Sequence, residues 1–132
     1  MRRNDVLECA ALGRTPKSAL RLGLVGSIHC FTALRDGRPE AMFGLADVCA
    51  LNGTGAPWML GTEAIYEEPR AMLAVGPKII DLWRFNCRRM SNIVGAQNVR
   101  AQRMLRAWKF TVGDKVTMIG GLEFLDFSLG ES

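Results

Sequence analysis

The sequence predicts an α+β fold in which a mixed, mostly antiparallel central sheet is flanked by helices. Two observations carry this prediction: the apolar spacing changes from helical to alternating near Ile28, and a strand–helix–strand passage begins at Trp58. The 132 residues are 48% hydrophobic and 23% charged, which is typical of a globular protein. We therefore expect a single domain over residues 1–132 with one core.

Two helices are predicted ahead of the first strand. Asn4 or Asp5 has a short polar side chain suited to cap the first helix, and Gly13 is expected to end it. Thr15 is suited to cap a second helix, because the proline that follows is tolerated at the first helical position. Gly26 is expected to end this second helix.

Alternating apolar residues then predict three strands. Ile28–Leu34 and Glu40–Val48 are joined across Asp36-Gly37, a strong hairpin signal because such a turn needs positive φ. The composition of Leu51–Pro57 predicts a loop, and Trp58–Thr62 is expected to be a short strand after it. These segments form the first half of the predicted sheet.

The second half of the chain alternates helix and strand. A helix is expected from Pro69, and Gly76-Pro77 is expected to break or kink it, because proline removes a helical N–H and clashes with the preceding turn. Met90–Ala96 is the next predicted strand. Lys115–Ile119 and Leu122–Leu129 are expected to close the sheet as a hairpin.

Asn98 marks the point at which the Met90–Ala96 strand passes into another helix. Its side-chain oxygen is suited to accept a backbone N–H of the first turn, which fixes where the helix begins. Apolar residues then recur at helical spacing, and Phe110 follows the helix. The residues expected to be buried against the sheet are Ala101, Leu105 and Trp108.

This Asn-x-x-Ala unit, closed by an aromatic residue, resembles the last strand–helix unit of the GNAT (GCN5-related N-acetyltransferase) superfamily. The predicted order of elements also matches the GNAT fold, with the usual first strand missing. A narrower similarity is to the GNAT-like proteins of bacteriophages and prophages, including the internal virion protein family of short-tailed phages. It lies in Asp36–Gly44, Gly55–Thr62 and Asn98–Phe110. The strand–helix–strand passage from Trp58 to Ala96, whose crossover is expected to be right-handed, predicts that Trp58–Thr62 and Met90–Ala96 are parallel neighbours in the sheet.

The resemblance also implies where a cofactor site is expected. Enzymes of this superfamily hold the pyrophosphate of acetyl-CoA on a glycine-containing loop after the fourth strand, through backbone N–H groups at a helix N-terminus. The equivalent region here, Leu60–Arg70, lacks that glycine spacing, and Glu67, Glu68 and Pro69 add negative charge and remove one donor. Leu105 stands where family enzymes often have a tyrosine general acid. We therefore expect no cofactor.

The remaining candidate for catalysis is Glu63, just past the Trp58–Thr62 strand, as a general base that activates an amine through water. The alternative is that Glu63 is an ordinary surface residue near a helix start. No metal site is expected, because the four cysteines are widely spaced and the chain has one histidine, so buried reduced thiols are favoured. The residues expected to line a cleft between the two parallel strands are Leu60, Gly61, Thr62, Asn98 and Arg103.

Two functional classes follow. The first is a phage- or prophage-encoded GNAT-like protein that has lost acetyl-CoA catalysis and serves as a virion component or protein-interaction module. The alternative is an acyl-CoA-dependent N-acetyltransferase with an atypical pyrophosphate loop, for which acetyl-CoA is the cofactor. We expect other phage structural proteins or self-association as partners, in the host cytoplasm or the virion, without secretion. The net charge of +4 does not favour nucleic acid, because aromatics are not interleaved with the basic residues. No apolar run is long enough to span a membrane.

Overall fold

The computed structural model describes residues 2–15, 17–21, 27–49, 53–67, 69–85 and 87–130, without the side chains at 28, 47–49, 65 and 69. A helical turn at 17–21 and a 3-10 helix at Glu63–Glu67 supplement the main elements. These are α1 (Arg3–Ala11), β1 (Ser27–Arg35), β2 (Arg38–Cys49), β3 (Thr54–Gly61), α2 (Pro69–Arg84), β4 (Arg89–Gly95), α3 (Val99–Ala107), β5 (Thr111–Ile119) and β6 (Leu122–Gly130).

The six strands form one sheet in the order β1-β2-β3-β4-β6-β5. All neighbouring strands are antiparallel except β3 and β4, which are parallel, so the predicted α+β fold and the predicted parallel pair are confirmed. The parallel pairing is confined to Thr54 with Arg89 and Gly55 with Met90. Beyond these two pairs the described residues of β3 and β4 are not paired by backbone hydrogen bonds, and a cleft opens between the strands towards their C-terminal ends.

Local turn and cap signals agree with the structure at two predicted positions. Asp36 and Gly37 have φ of 53° and 78° between β1 and β2, as the hairpin requires. Thr15 and Ser18 cap the turn at 17–21 reciprocally: the Ser18 N–H donates to Thr15 Oγ1 at 3.1 Å, and the Thr15 N–H donates to Ser18 Oγ at 3.0 Å. The predicted end of this helix at Gly26 lies outside the described residues.

The predicted loop before the third strand is wrong in its second half. The strand begins at Thr54 rather than at Trp58, because Gly55 to Pro57 pair with β2 through positions 47 to 45. Glycine and proline in this stretch predicted a loop, and the backbone hydrogen bonds offered by the neighbouring strand overrode that local preference.

The predicted interruption at Gly76-Pro77 is also wrong, since α2 runs continuously through Pro77. Trp108, just after α3, packs against α2 so closely that a Cβ on Gly76 would lie 2.1 Å from its ring. The Trp108 indole N–H also donates to the Met72 carbonyl at 3.1 Å. Packing against a second helix therefore holds α2 together at the position where the local sequence favours a break.

The core lies between the sheet and the helices α2 and α3. Leu45, Met90 and Phe124 are the largest fully buried side chains. The predicted inner face of α3 is confirmed, because Ala101 is buried and Leu105 and Trp108 are partly buried against the core cluster. Within the described residues, no helix combines the length and the apolar character that crossing a membrane requires.

Candidate active site: the cleft between two parallel strands

The narrow end of the cleft is bridged by the side chain of Asn92 on β4. Its amide nitrogen donates to the Pro57 carbonyl of β3 at 3.0 Å, and its carbonyl oxygen accepts the N–H of Ile93 at 2.8 Å. The Asn92 carboxamide thus replaces one step of the broken ladder. It also lines the cavity that fills the cleft.

The wide end is closed by two carboxylates of α1. Asp5 accepts the N–H of Gly61, the last residue of β3, at 2.9 Å, and Glu8 accepts the N–H of Gly95, the last residue of β4. Asp5 therefore does not cap α1, contrary to the expectation, and α1 begins at Arg3 without any side-chain cap. The cap position was mispredicted because the two separated strand ends attract the acidic side chains instead.

Arg2 connects α1 to both strand-to-helix connections. Its guanidinium donates to Glu63 at 3.0 Å and to the Asn98 side-chain oxygen at 3.3 Å, and it lies 4.3 Å from the ring centre of Tyr66. Arg2 is only 4% exposed, and Asn98 3%. A buried cation is therefore held among carboxylates and an aromatic face, where it offsets their negative charge.

Burial dominates the electrostatics of this cluster. It raises the pKa of Asp5 and of Glu8, and the backbone N–H groups and the Arg2 charge oppose the rise only in part. The pKa of the Tyr66 hydroxyl is also raised, mainly by burial, with Arg2 acting in the opposite direction. The pKa of Glu8 is therefore raised in the direction of neutral pH.

A cavity of about 1110 Å³ occupies the cleft and reaches both faces of the sheet. Its charged lining residues come from α1, from the segment after it and from the β1–β2 hairpin, namely Asp5, Glu8, Arg14, Arg35 and Glu40. The residues contributed by α2 and α3 are uncharged and mostly apolar. The cavity is therefore polar on the α1 side and mostly apolar on the α2–α3 side.

The structure brings most of the predicted cleft residues to this place. Leu60 and Asn98 line the cavity, and Asn98 caps α3 by accepting the Ala101 N–H at 3.4 Å, as predicted. Gly61 binds α1 through its N–H and its carbonyl. Thr62 turns away towards β2, since its N–H donates to the Glu40 carbonyl at 2.8 Å and its hydroxyl to the Glu40 carboxylate.

Glu63 and Arg103 lie outside the cavity lining. The Glu63 side chain is 55% exposed, and its two oxygens accept hydrogen bonds from Arg2 and Arg100, each at 3.0 Å. Arg103 is exposed on α3, one turn beyond Arg100. The ion pair between Arg100 and Glu63 places the first turn of α3 next to the connection between β3 and α2.

Sequence reasoning missed the roles of Arg2 and Glu8, and it considered Asp5 only as a candidate helix cap. A signal was present, because these three charged residues are spaced by three positions at the start of the first helix. The sequence does not contain the location of the groups that Asp5 and Glu8 bind, which are backbone N–H groups 56 and 87 residues further along the chain.

Several solved structures similar to this chain are acetyltransferases. They include a GNAT-family acetyltransferase from Streptococcus pneumoniae (TM-score 0.61, 11% identity, 78% of this chain and 66% of that one). A ribosomal-protein-S5-alanine acetyltransferase from Vibrio fischeri has a TM-score of 0.61 at 14% identity, covering 86% and 67%. An N-acetyltransferase from Campylobacter jejuni, solved with acetyl coenzyme A, has a TM-score of 0.59 at 13% identity, covering 88% and 77%.

The sheet order, the single parallel pair and these similarities define a protein with the GNAT acetyltransferase fold. No protein-family model and no curated protein matches the sequence. The chain spans 63% of the length of one probable acetyltransferase with the same fold, and 66% of the Streptococcus pneumoniae protein. The structural similarity therefore shows the fold, and the fold by itself does not define the activity.

Proposed function

We propose that this protein is an acyl-CoA-dependent N-acyltransferase. The observation that supports this function best is the cleft between β3 and β4, which lies in a fold shared with acetyltransferases that include complexes with coenzyme A and acetyl coenzyme A. This is the alternative of the two functional classes that the sequence offered. A role in a virion has no support among the described contacts or the similar structures, and it stays a prediction.

The cleft fits the thioester arm of an acyl-CoA. The Pro57 carbonyl and both peptide atoms of Gly61 face the gap. Because peptide groups alternate in direction along a strand, the N–H and carbonyl of Met59 face the gap as well. They are available to hydrogen-bond an amide of the arm between the Asn92 bridge and the α1 carboxylates.

The diphosphate of coenzyme A fits less directly. No glycine follows Gly61 until Gly76, and Glu63 begins a 3-10 helix where a glycine loop is expected in this fold. Positive charge is supplied instead by side chains: Arg100 is in contact with this connection, and Arg103 lies one turn along α3. We assign the diphosphate to Arg100 and Arg103, as charge-assisted contacts at the protein surface.

Glu8 is the carboxylate best placed to accept a proton from an amine substrate. It lines the cavity, and burial raises its pKa towards the range in which a general base works at neutral pH. Each carboxylate accepts two hydrogen bonds, Glu8 from the Gly95 N–H and the Asn98 amide, and Glu63 from Arg2 and Arg100. Glu63 is the weaker candidate because it lies outside the cavity lining. When bound, acyl-CoA would supply an acyl group activated as a thioester: the amine nitrogen would bond to the acyl carbon as the C–S bond breaks, and the coenzyme A thiolate would leave and take up the proton that the amine gave to Glu8.

The proposal is tested by titrating acetyl-CoA and coenzyme A into the protein in a calorimeter, with acetyl transfer to a panel of primary amines as the second measurement. We expect saturable binding that Arg103→Ala weakens by about 10- to 100-fold, since one hydrogen bond to a charged group contributes roughly 1.5–3 kcal/mol. Arg106→Ala, in the last turn of α3, is the matched control.

The identity of the base is tested separately by comparing Glu8→Gln with Glu63→Gln. Loss of turnover with unchanged acetyl-CoA binding in Glu8→Gln alone supports Glu8, and the same loss in Glu63→Gln alone assigns the role to Glu63. Absence of binding by acetyl-CoA and by coenzyme A in the folded protein overturns the acyltransferase and favours a scaffold without catalysis.

A further inference from the structure

We infer that the acyl group taken by this protein is a saturated alkyl chain of several carbons, for which octanoyl is the probe, rather than acetyl. The inference rests on the proposed function and specifies the substrate class of the same cleft. It starts from the size of the cavity. Protein interiors pack like organic crystals with few voids larger than a water molecule, and ligand sites typically measure about 300–1,000 Å³. A cavity of about 1110 Å³ in a 132-residue chain lies just above that range.

The side of the sheet on which the acyl chain lies is inferred from the pairing of β3 with β2. Pro57 and Met59 stand opposite Leu45 and Phe43 in the pairing of β3 with β2. Directly opposite residues share a face, and Leu45 and Phe43 belong to the core that α2 and α3 cover. The side chains of Pro57 and Met59 therefore lie on the α2–α3 side. Because the cavity reaches both faces of the sheet, a thioester in the gap beside Met59 has access to that side.

The described side chains that line that side from the helices are mostly apolar. They include Met72, Ile79 and Trp83 of α2 and Met104 and Leu105 of α3, and none of them is charged. One polar atom lies among them, the indole nitrogen of Trp83, which is buried without a hydrogen-bond partner among the described residues. The charged lining residues lie on α1, after α1 and in the β1–β2 hairpin, the side that suits an amine. An acetyl group leaves the apolar side without an occupant, whereas an alkyl chain fills it and removes its own surface from water.

The expected effect is a dependence of binding on chain length. Burying one methylene contributes about 0.8 kcal/mol, or roughly a fourfold gain in affinity. Octanoyl-CoA has six more methylenes than acetyl-CoA, so we expect it to bind at least about a hundredfold more tightly, allowing for incomplete burial of the chain. Coenzyme A is expected to bind about as acetyl-CoA does.

The experiment is a calorimetric titration of the protein with coenzyme A and with acetyl-, butanoyl- and octanoyl-CoA. Ile79→Trp fills the apolar side and is expected to remove the preference for octanoyl-CoA while coenzyme A still binds. Leu73→Trp is the matched control, because Leu73 lies on the same helix, is 53% exposed and does not line the cavity. Ala33→Leu, on β1, is a second filling variant should Ile79→Trp not fold.

The outcomes separate this inference from the proposed function. Equal affinity for acetyl- and octanoyl-CoA, with saturable binding of both, overturns the chain-length assignment and leaves the acyltransferase standing. Binding of none of the four ligands overturns the acyltransferase itself. A preference for octanoyl-CoA that Ile79→Trp keeps shows that the chain lies elsewhere, and this overturns the assigned side of the cavity.

Discussion

The two strand-to-helix connections at the ends of β3 and β4 are built differently. From β4 to α3 the chain needs three residues, and Asn98 caps the helix with its own side chain. From β3 to α2 it passes through a 3-10 helix, which is tied to the rest of the protein by distant arginines: Arg2 and Arg100 on Glu63, and Arg35 on Glu67. The first connection has a local cap in addition to its tertiary contacts with Arg2 and Glu8, whereas the second is held by tertiary contacts.

This difference separates two ways of stabilising one cleft. A cap satisfies helix N–H groups with a neighbouring residue, so its effect is confined to the helix that it starts. The buried Arg2 contacts residues of both connections, so its loss affects the whole wide end of the cleft. Four predictions test this difference, and they follow in order of decreasing expected effect.

Arg2→Ala is expected to have the largest effect. It leaves Asp5 and Glu8 buried without their compensating cation, and removing one partner of a buried charge cluster typically costs about 3–5 kcal/mol. The free energy of unfolding from urea titrations measures this. Glu63→Gln is the control, since Glu63 is largely exposed and surface ion pairs are worth below about 1 kcal/mol. Equal losses in both variants contradict a buried cluster centred on Arg2.

Leu105→Ala is expected to destabilise the protein by about 2–3 kcal/mol, the lower part of the range for core truncations, because Leu105 is only partly buried against the core. Val99→Ala on the same helix, where the side chain is 49% exposed, is expected to change stability by less than about 0.5 kcal/mol. Thermal and urea unfolding both report it. A change below about half a kcal/mol for Leu105→Ala means that the buried face of α3 is misassigned.

Asn98→Ala removes the local cap and is expected to cost about 1–2 kcal/mol, since Asn98 also binds Arg2 and Glu8. Asn98→Ser keeps an N-cap oxygen but loses the longer contacts, so it is expected to recover part of the loss. Circular dichroism with urea unfolding separates the two contributions. Full recovery in Asn98→Ser shows that the contacts to α1 add nothing to the cap.

The smallest expected effect is a slope of stability with pH. Burial raises the pKa of Asp5 and of Glu8, so the folded state binds their protons more tightly than the unfolded state does. The contribution of these groups to the free energy of unfolding therefore rises on acidification and falls as the pH increases through the raised pKa values. Asp5→Asn with Glu8→Gln is expected to flatten the profile above the pH at which an unperturbed carboxyl group titrates. A steeper profile in the double variant contradicts the raised pKa values.

The sequence by itself determined the elements whose signals are local. The Asp36-Gly37 turn, the Thr15 cap, the Asn98 cap and the apolar face of α3 each depend on residues within one or two turns of one another. The alternation of strand and helix after residue 58 was enough to predict the parallel pair. Such features follow from backbone geometry and side-chain spacing, which are properties of short segments.

The tertiary structure decided which charged groups surround the predicted cleft. Strand pairing extended β3 to Thr54, and the Trp108 ring kept α2 continuous past Pro77. The last residues of β3 and β4 have N–H groups without a partner in the neighbouring strand, and buried N–H groups need acceptors. Asp5 and Glu8 of α1 accept these hydrogen bonds at the wide end of the cleft. These outcomes depend on groups distant in the sequence, so no local pattern of residues specifies them.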